Sequence, residues 1–255
     1  MLKFFQRIRR KLLEEGRLTQ YLTYAIGEIF LVVIGILIAL QINNWNTTRQ
    51  EHAELHGYLN NIKKNIEFDL ANVNSIMAKR DTISANCQAI LALASRDSLS
   101  LDDLFSTVTL LGNENNNIYV EFYFIPDQSG FEVLKSSGFL GKLNGTILES
   151  KLYEYNYTLK QIAEQERSLN EFVERMEAET ASNDIWGQLV ILMTEIENDL
   201  EGYSPKLGTL RQLINHPPLK AGYVRGAISG GWLKKYYNKL ISIGEDIVKE
   251  IDVVK

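Results

Sequence analysis

Twelve consecutive residues, Ile29 to Leu40, read IFLVVIGILIAL without one polar side chain, and moderately apolar flanks extend the run from Tyr21 to Ile42. At about 1.5 Å per residue, roughly 22 residues reach about 33 Å, enough to cross the hydrocarbon core of a bilayer. Interfacial residue types bracket the run, with Tyr21 and Tyr24 at one end and Gln41, Asn43, Asn44 and Trp45 at the other. Amphipathic aromatic side chains collect at membrane–water boundaries, so Tyr21, Tyr24 and Trp45 are the expected interface anchors of one transmembrane helix over residues 17–45.

The charge pattern orients this span. Lys3, Arg7, Arg9, Arg10, Lys11 and Arg17 stand against Glu14 and Glu15 in the first twenty residues, which carry +4 and leave −9 for the rest of a chain whose net charge is −5. Basic residues stay on the cytoplasmic side, so the N-terminus is expected in the cytoplasm and everything after Trp45 beyond it, in the periplasm of a bacterial inner membrane. The apolar stretch exceeds the core of a cleaved signal peptide, no A-x-A-like site follows it, and Arg9-Arg10 lacks the rest of a twin-arginine signal. A retained signal anchor is the reading. Residues 1–16 place Met1, Phe5, Ile8 and Leu12 on one helical face and Lys3, Arg7, Arg10, Lys11 and Glu14 on the other. That pattern predicts an interfacial helix lying on anionic headgroups, ended by Gly16. An acidic body argues against a nucleic-acid partner.

Glu28 is an ionisable group about two turns inside the span, costly unless it is paired or close to the headgroups. Gly35, Ala39 and Ile42 share its face, and Gly35-x-x-x-Ala39 is a spacing that lets helices approach closely. Glu28, Gly35 and Ala39 are thus candidates for a helix–helix interface, with snorkelling of Glu28 toward the cytoplasmic headgroups as the alternative.

Beyond Trp45, residues 46–255 read as a periplasmic helical domain. No proline occurs before Pro126, and Leu55, Leu59, Ile62, Ile66, Val73, Ile76, Ile83, Cys87 and Ile90 recur mostly at steps of three and four. This predicts a long helix with a coiled-coil-like seam, continuous with the membrane helix and ending near Ser95. Asp69 and Arg80 interrupt the seam, which favours a bundle over an extended zipper. Ser100 with Asp102 and Asp103 caps a short helix, and NENNN at 113–117 is a polar loop. The β-branched and aromatic run IYVEFYFI, residues 118–125, suits a strand but has no ladder partner in the chain. It is either an extended segment packed on helices or an edge that pairs with another copy.

Asp127 caps a short helix carrying Phe131 and Leu134 and ending at Gly138, and Asn144 opens a second long helix with the seam Leu148, Leu152, Tyr155, Leu159, Ile162, Leu169, Val173 and Met176. A third begins at Asn183 or Asp184, runs through Trp186, Leu189, Leu192, Ile196 and Leu200, and closes near Gly202. Another starts at Ser204-Pro205 and ends before Pro217-Pro218. The last has the stripe Tyr236, Leu240, Ile243, Ile247, Ile251 and Val254, with Gly230-Gly231 expected to kink it. The fold class is mainly α: an interfacial helix, one transmembrane helix and an elongated extracytoplasmic up-and-down bundle.

Motifs with chemistry are sparse. His52 and His56 sit four apart on a helix and form a weak candidate metal pair, but the sequence H-A-E-L-H lacks the H-E-x-x-H order and offers no third ligand. There is no phosphate-binding glycine loop and no G-x-S-x-G elbow, and paired carboxylates such as Asp102-Asp103 and Glu245-Asp246 sit where solvated helix faces carry them. The lone cysteine, Cys87, falls on an apolar stripe, as a small buried hydrophobe does. No cofactor and no catalytic residue are expected, and the chain does not read as an enzyme.

The run YAIGEIFLVVIGILIALQINNWN, residues 24–46, after a basic amphipathic start, resembles the N-terminal signature of a family of uncharacterised single-pass membrane proteins from Bacteroidota; FEVLKSSGFLGKLNG, residues 131–145, is similar to that family's central motif. The resemblance implies a membrane location and helical architecture for the whole chain. It transfers no site residues, because the family is a domain of unknown function. The functional expectation is a membrane-anchored periplasmic module that binds another protein or itself, in a sensing or scaffolding role. A homo-oligomeric pore or channel component, with Glu28 facing its lumen, is the alternative.

Overall fold

A computed structural model of the chain describes residue 10 and residues 18–111, 117–198 and 203–253. The interfacial helix expected over residues 1–16, Asn113 to Asn116 of the polar loop, Leu200, Gly202 and Val254 lie outside the described residues, Arg10 apart. The described residues are mainly helical, with α1 at Leu18–Ala94, α2 at Leu101–Leu111, α3 at Ser129–Ser136, a 3-10 turn at Phe139–Leu143, α4 at Ile147–Ser182, α5 at Ile185–Asn198, α6 at Tyr203–Ile214 and α7 at Pro217–Val253. The chain divides into two compact units, Met1–Gly57 and Tyr58–Lys255.

In the first unit, the apolar stretch of α1 is the one helix among the described residues long and apolar enough to cross a membrane, and none of its most apolar window is buried. Leu22, Ile26, Phe30, Leu31, Ile36 and Leu40 all present more than half of their surface.

In the second unit the long helices begin and end where local chemistry directs. Ser100 and Asp103 form a reciprocal capping box at α2: the Ser100 hydroxyl accepts from Asp103 N–H at 3.2 Å and the Asp103 carboxylate accepts from Ser100 N–H at 2.8 Å. The sequence suggested Asn144 as the start of α4, but Thr146 caps it, accepting from Glu149 N–H at 3.1 Å while Glu149 accepts from Gly145 N–H at 2.8 Å. The T-x-x-E spacing outcompetes Asn144 because it satisfies two orphan donors at once. Gly138, at φ 79°, turns the chain from α3 into the 3-10 turn. α7 begins at Pro217, which suits the first turn of a helix because that N–H has no intrahelical partner.

Three long helices form the core. Asp69 on α1 meets Tyr155 on α4, and Arg80 meets Glu166, so α1 and α4 run parallel. α7 runs antiparallel to both, as Lys63 pairs with Asp252 and Lys234 with Asp81 on the α1 side, and Lys151 with Asp246 on the α4 side. The α1 seam is buried at every expected position from Leu59 to Ile90 except Ile76, and the α4 seam from Leu148 to Val173 is buried throughout. On α7 the stripe is offset by one residue at its start: Tyr237, fully enclosed, takes the place expected for Tyr236, which is only half-buried. Either tyrosine meets Leu240 at a helical step, and the hydrogen bonds described below select Tyr237.

α7 passes through Gly230-Gly231 unbroken. Instead of marking a kink, Gly222, Gly226 and Gly230 give it a face without side chains. A Cβ at Gly226 would stand 2.5 Å from Cys87 Sγ and 2.9 Å from Ile118 Cγ1, and one at Gly230 would stand 3.1 Å from Ser84 Cβ, whereas Gly231 faces open space. α1 and residue 118 pack directly on the α7 backbone there.

The place of a fourth rod is taken by an extended strap. Residues 121–128 have no helical or strand assignment, and their exposure alternates, with Phe122 and Phe124 turned inward and Tyr123 and Ile125 outward. Contacts between strap and α4 run in opposite order along the two: Gln128 hydrogen bonds Asn156, Phe124 meets Glu166 and Phe122 meets Asn170, while the neighbouring Glu121 carboxyl raises the pKa of Glu174. The six steps from Phe122 to Gln128 at about 3.3 Å match the fourteen from Asn156 to Asn170 at about 1.5 Å, roughly 20 Å each, so the strap is fully extended.

Candidate functional site

An extended chain that is not in a sheet leaves its own N–H and C=O groups without partners, and burying such groups unpaired costs free energy. The bundle resolves this with charged side chains set into helix seams. Arg80 Nη2 donates to the Phe122 carbonyl at 3.3 Å, Asn170 Nδ2 to the same oxygen at 3.4 Å, and Phe124 N–H donates to Glu166 Oε2 at 2.9 Å. Both charges are enclosed, Arg80 at 3% exposure and Glu166 at 0%, and they pair with each other at 3.1 Å. Tyr237 joins them from α7: its hydroxyl accepts from Arg80 Nε at 2.9 Å and donates to Glu166 Oε1 at 2.5 Å. Burial raises the Tyr237 hydroxyl pKa above the ordinary value, which keeps the proton in place for that donation. The Arg80 guanidinium also lies 4.2 Å from the centre of the Phe122 ring.

Eleven residues earlier on α1, Asp69 repeats the device at the other end of the strap. It is 1% exposed, accepts from Asp127 N–H at 2.9 Å and accepts from the Tyr155 hydroxyl at 3.0 Å. Burial pushes its pKa upward against the opposing pull of those two donors. Asp127 turns the chain into α3 by accepting from Ser129 N–H at 3.0 Å, and its pKa is lowered by its hydrogen bonds with Ser129, aided by Asn65. It therefore acts at the entrance of α3, as expected, although the formal cap position belongs to Gln128. A cavity with about 20 Å³ of room, enough for one water, lies under this end between Asn65, Asp127, Tyr155 and Asn156. A surface recess of about 250 Å³ opens beside it at Asn61, Lys64 and Gly130. Its two nearest main-chain donors are occupied, since Ser129 N–H is bound by Asp127 and Gly130 N–H by Asn65.

The strap-holding groups recognise main chain, and they are positioned from behind by one another. Glu166, Asn170 and Tyr237 were not singled out from sequence as polar core residues, but a signal existed for Glu166. It sits four after Ile162 and three before Leu169, at a seam position, just as Asp69 and Arg80 stand in the α1 seam. Within the run 118–125, residues 118–120 form a turn and residues 121–125 are extended and packed on helices, and no strand is formed among the described residues.

The residues expected to act at the membrane lie along α1. Glu28 is half-exposed and lines a shallow recess of about 330 Å³ with Ala25, Ile29, Val32 and Val33. Gly35 and Ala39 are not part of that recess; both are exposed, and a Cβ on Gly35 would meet nothing. Tyr24 is half-buried and Trp45 is 65% exposed, while Tyr21 is described by its helical backbone alone. His52 is exposed and His56 half-buried, and among the described residues no group of three His, Cys, Asp or Glu side chains is placed to hold a metal ion.

A family model described as "Family of unknown function (DUF6090)" matches residues 28–200. This stretch takes in the apolar part of α1, the strap and all of α4 and α5. No curated protein and no solved structure matches the chain.

Proposed function

We propose, since the chain belongs to the DUF6090 family of unknown function and takes no activity from that membership, that it is a membrane-anchored interaction module. In this reading a single N-terminal span crosses a bacterial inner membrane, and the helical body beyond it, on the periplasmic side, binds another protein in a scaffolding or sensing role. The observation that carries the reading is the contrast between the two units. The apolar window of α1 has none of its surface buried, whereas the second unit encloses its seams. Twelve adjoining apolar residues left open to water would be an extended aggregation surface, and a bilayer removes that penalty.

The orientation rests on the basic head and acidic body. Anionic headgroups are the expected neighbours of Lys3, Arg7, Arg9, Arg10 and Lys11. Within the span, the face of Glu28, Gly35 and Ala39 is the proposed contact with a second transmembrane helix, because small residues there permit close approach and a carboxyl in lipid gains from a protein hydrogen-bond partner.

Reporter fusions to the C-terminus of the full chain test the topology. A phosphatase that is active only outside the cytoplasm is expected to work there and a cytoplasm-dependent fluorescent reporter to stay dark; the reverse pattern overturns the orientation. Release of the protein from membranes by alkaline carbonate overturns the anchor. The helix contact is tested by light scattering in mild detergent, where Glu28→Val is expected to shift a dimeric or heteromeric species toward monomer. A parent chain that is already strictly monomeric, with no co-purifying partner, removes that contact.

A further inference from the structure

The last helix carries a charge imbalance that the rest of the fold does not cancel. Between Pro217 and Gly244 stand Lys220, Arg225, Lys234, Lys235 and Lys239 and not one Asp or Glu, in a chain whose net charge is −5. Lys234 and Lys239 are matched by carboxylates of the neighbouring helices, Asp81 and Glu154. Arg225 is not: among the described residues it has no hydrogen-bond or ion-pair partner, although an arginine carries five donors. Two aromatic rings hold it instead. Its guanidinium carbon lies 5.0 Å from the centre of the Trp232 ring, two turns further along α7, and 5.8 Å from that of Phe172 on α4. Nε is enclosed without an acceptor, as is Trp232 Nε1, and buried donors of that kind are rare enough to call for an explanation. Arg225 as a whole is half-buried, and its two terminal nitrogens are the part of the guanidinium left open to solvent.

An acceptor can therefore reach the guanidinium only end-on, across both terminal nitrogens, which is the approach of a planar carboxylate making two parallel hydrogen bonds. Because the rings already hold the fork, little further side-chain freedom is lost when it is bound. The surroundings are apolar. Val224 and Ile228, 46% and 55% exposed, flank Arg225 along α7, and Lys235, exposed and without an ion pair, follows one turn beyond Trp232. We propose that Arg225, clamped between Phe172 and Trp232, is the anchor for a carboxylate on an acidic and apolar segment of a partner protein. Charge complementarity selects an acidic ligand. The apolar flank selects a peptide over a free inorganic anion, which gains nothing from Val224 and Ile228. This deepens the interaction-module reading and rests on it, naming where on the helical body a partner is held and by what chemistry.

The probe is a short fluorescein-labelled peptide alternating Glu and Leu, titrated with the full chain in maltoside micelles and followed by fluorescence anisotropy. Saturable binding that weakens with added salt is expected, with a peptide alternating Gln and Leu bound about tenfold more weakly. Arg225→Gln is expected to lower the affinity for the Glu peptide by about tenfold while the melting temperature of the chain stays put, because the side chain has no polar partner in the fold to lose. Arg225→Lys is expected to recover little of that loss, since an ammonium keeps the charge and forfeits the planar fork. Equal binding of the two peptides, or Arg225→Gln binding like the parent, overturns the anchor. Full recovery by Arg225→Lys overturns the end-on fork. Displacement of the peptide by millimolar inorganic phosphate, beyond what chloride achieves at the same ionic strength, assigns Arg225 to phosphate and overturns the peptide as its ligand. No binding by the parent chain overturns this site alone, because topology and co-purification, which test the module reading, are read without the probe.

Discussion

Single residues in this protein are governed by what burial does to ionisable groups. Cys87 is 2% exposed and burial pushes its thiol up to about 12, so the thiolate that reacts with electrophiles is scarce at ordinary pH. The folded chain is therefore expected to resist maleimide at pH 8 and to take up one equivalent only after denaturation, as mass spectrometry would show; rapid labelling of the native protein contradicts this burial. Asp69 is the second case. Its carboxyl is raised above the ordinary value of 3.8 by burial, so its contribution to stability is fully present below that value and is lost as the pH rises through the raised one. Asp69→Asn keeps an acceptor for Asp127 N–H and carries no charge. Relative to the parent, it is expected to gain thermal stability as the pH is taken from about 4 to neutrality; a difference that stays flat or shrinks over that range, by circular dichroism melts, contradicts this. Sequence showed both residues on an apolar seam. It did not show why a carboxylate is tolerated there, because the reason is a main-chain N–H from a segment 58 positions away.

At the scale of elements, periodicity and caps were legible in the sequence, and close approach was not. The seams of α1 and α4, the end of α1 and the capping box at α2 follow from spacing and side-chain chemistry, whereas Pro217, read as the stop of the preceding helix, opens α7. The identity of Tyr237 over Tyr236 did not follow, since adjacent residues differ by one helical step and only Arg80 and Glu166 distinguish them. The four-residue spacing of Gly222, Gly226 and Gly230 was visible, yet Gly230 and Gly231 look alike in sequence while facing opposite surroundings. Alanine separates them. Gly226→Ala puts a methyl against Cys87 and Ile118 and is expected to cost about 1–3 kcal/mol, the range for overpacking a core. Gly231→Ala enters open space on a helix and is expected to add about 0.5–1 kcal/mol. Chemical denaturation of the two variants reads the sign directly, and equal effects would contradict the packing of α1 on the α7 backbone.

For the whole molecule, the buried polar cluster ties together pieces that are far apart in sequence. Arg80, Glu166 and Tyr237 come from three helices and hold the strap between them. A buried pair is weak evidence of net stability, but deleting one member strands the other. Glu166→Leu is expected to lose about 3–5 kcal/mol, because Arg80 is left as an uncompensated enclosed charge and Phe124 N–H without a partner. A melt within 1 kcal/mol of the parent would show that water reaches the cluster. Such long-range closure is what a single sequence conceals. Helices announce themselves over a few turns, whereas the strap is extended only because distant side chains replace the ladder it lacks.

The strap also fixes which parts of the chain can change length. Each of its residues advances about 3.3 Å and alternates sides, while a residue in the adjoining helix advances about 1.5 Å. Losing one residue between Phe122 and Gln128 shortens the strap by more than two helical residues' worth of reach and turns Phe124 out of the core. No slack exists to absorb it, because both ends are pinned, at Arg80 and at Asp69. Insertions and deletions among members of the family should accordingly gather at the junctions between helices and avoid these few residues, although they carry no regular secondary structure.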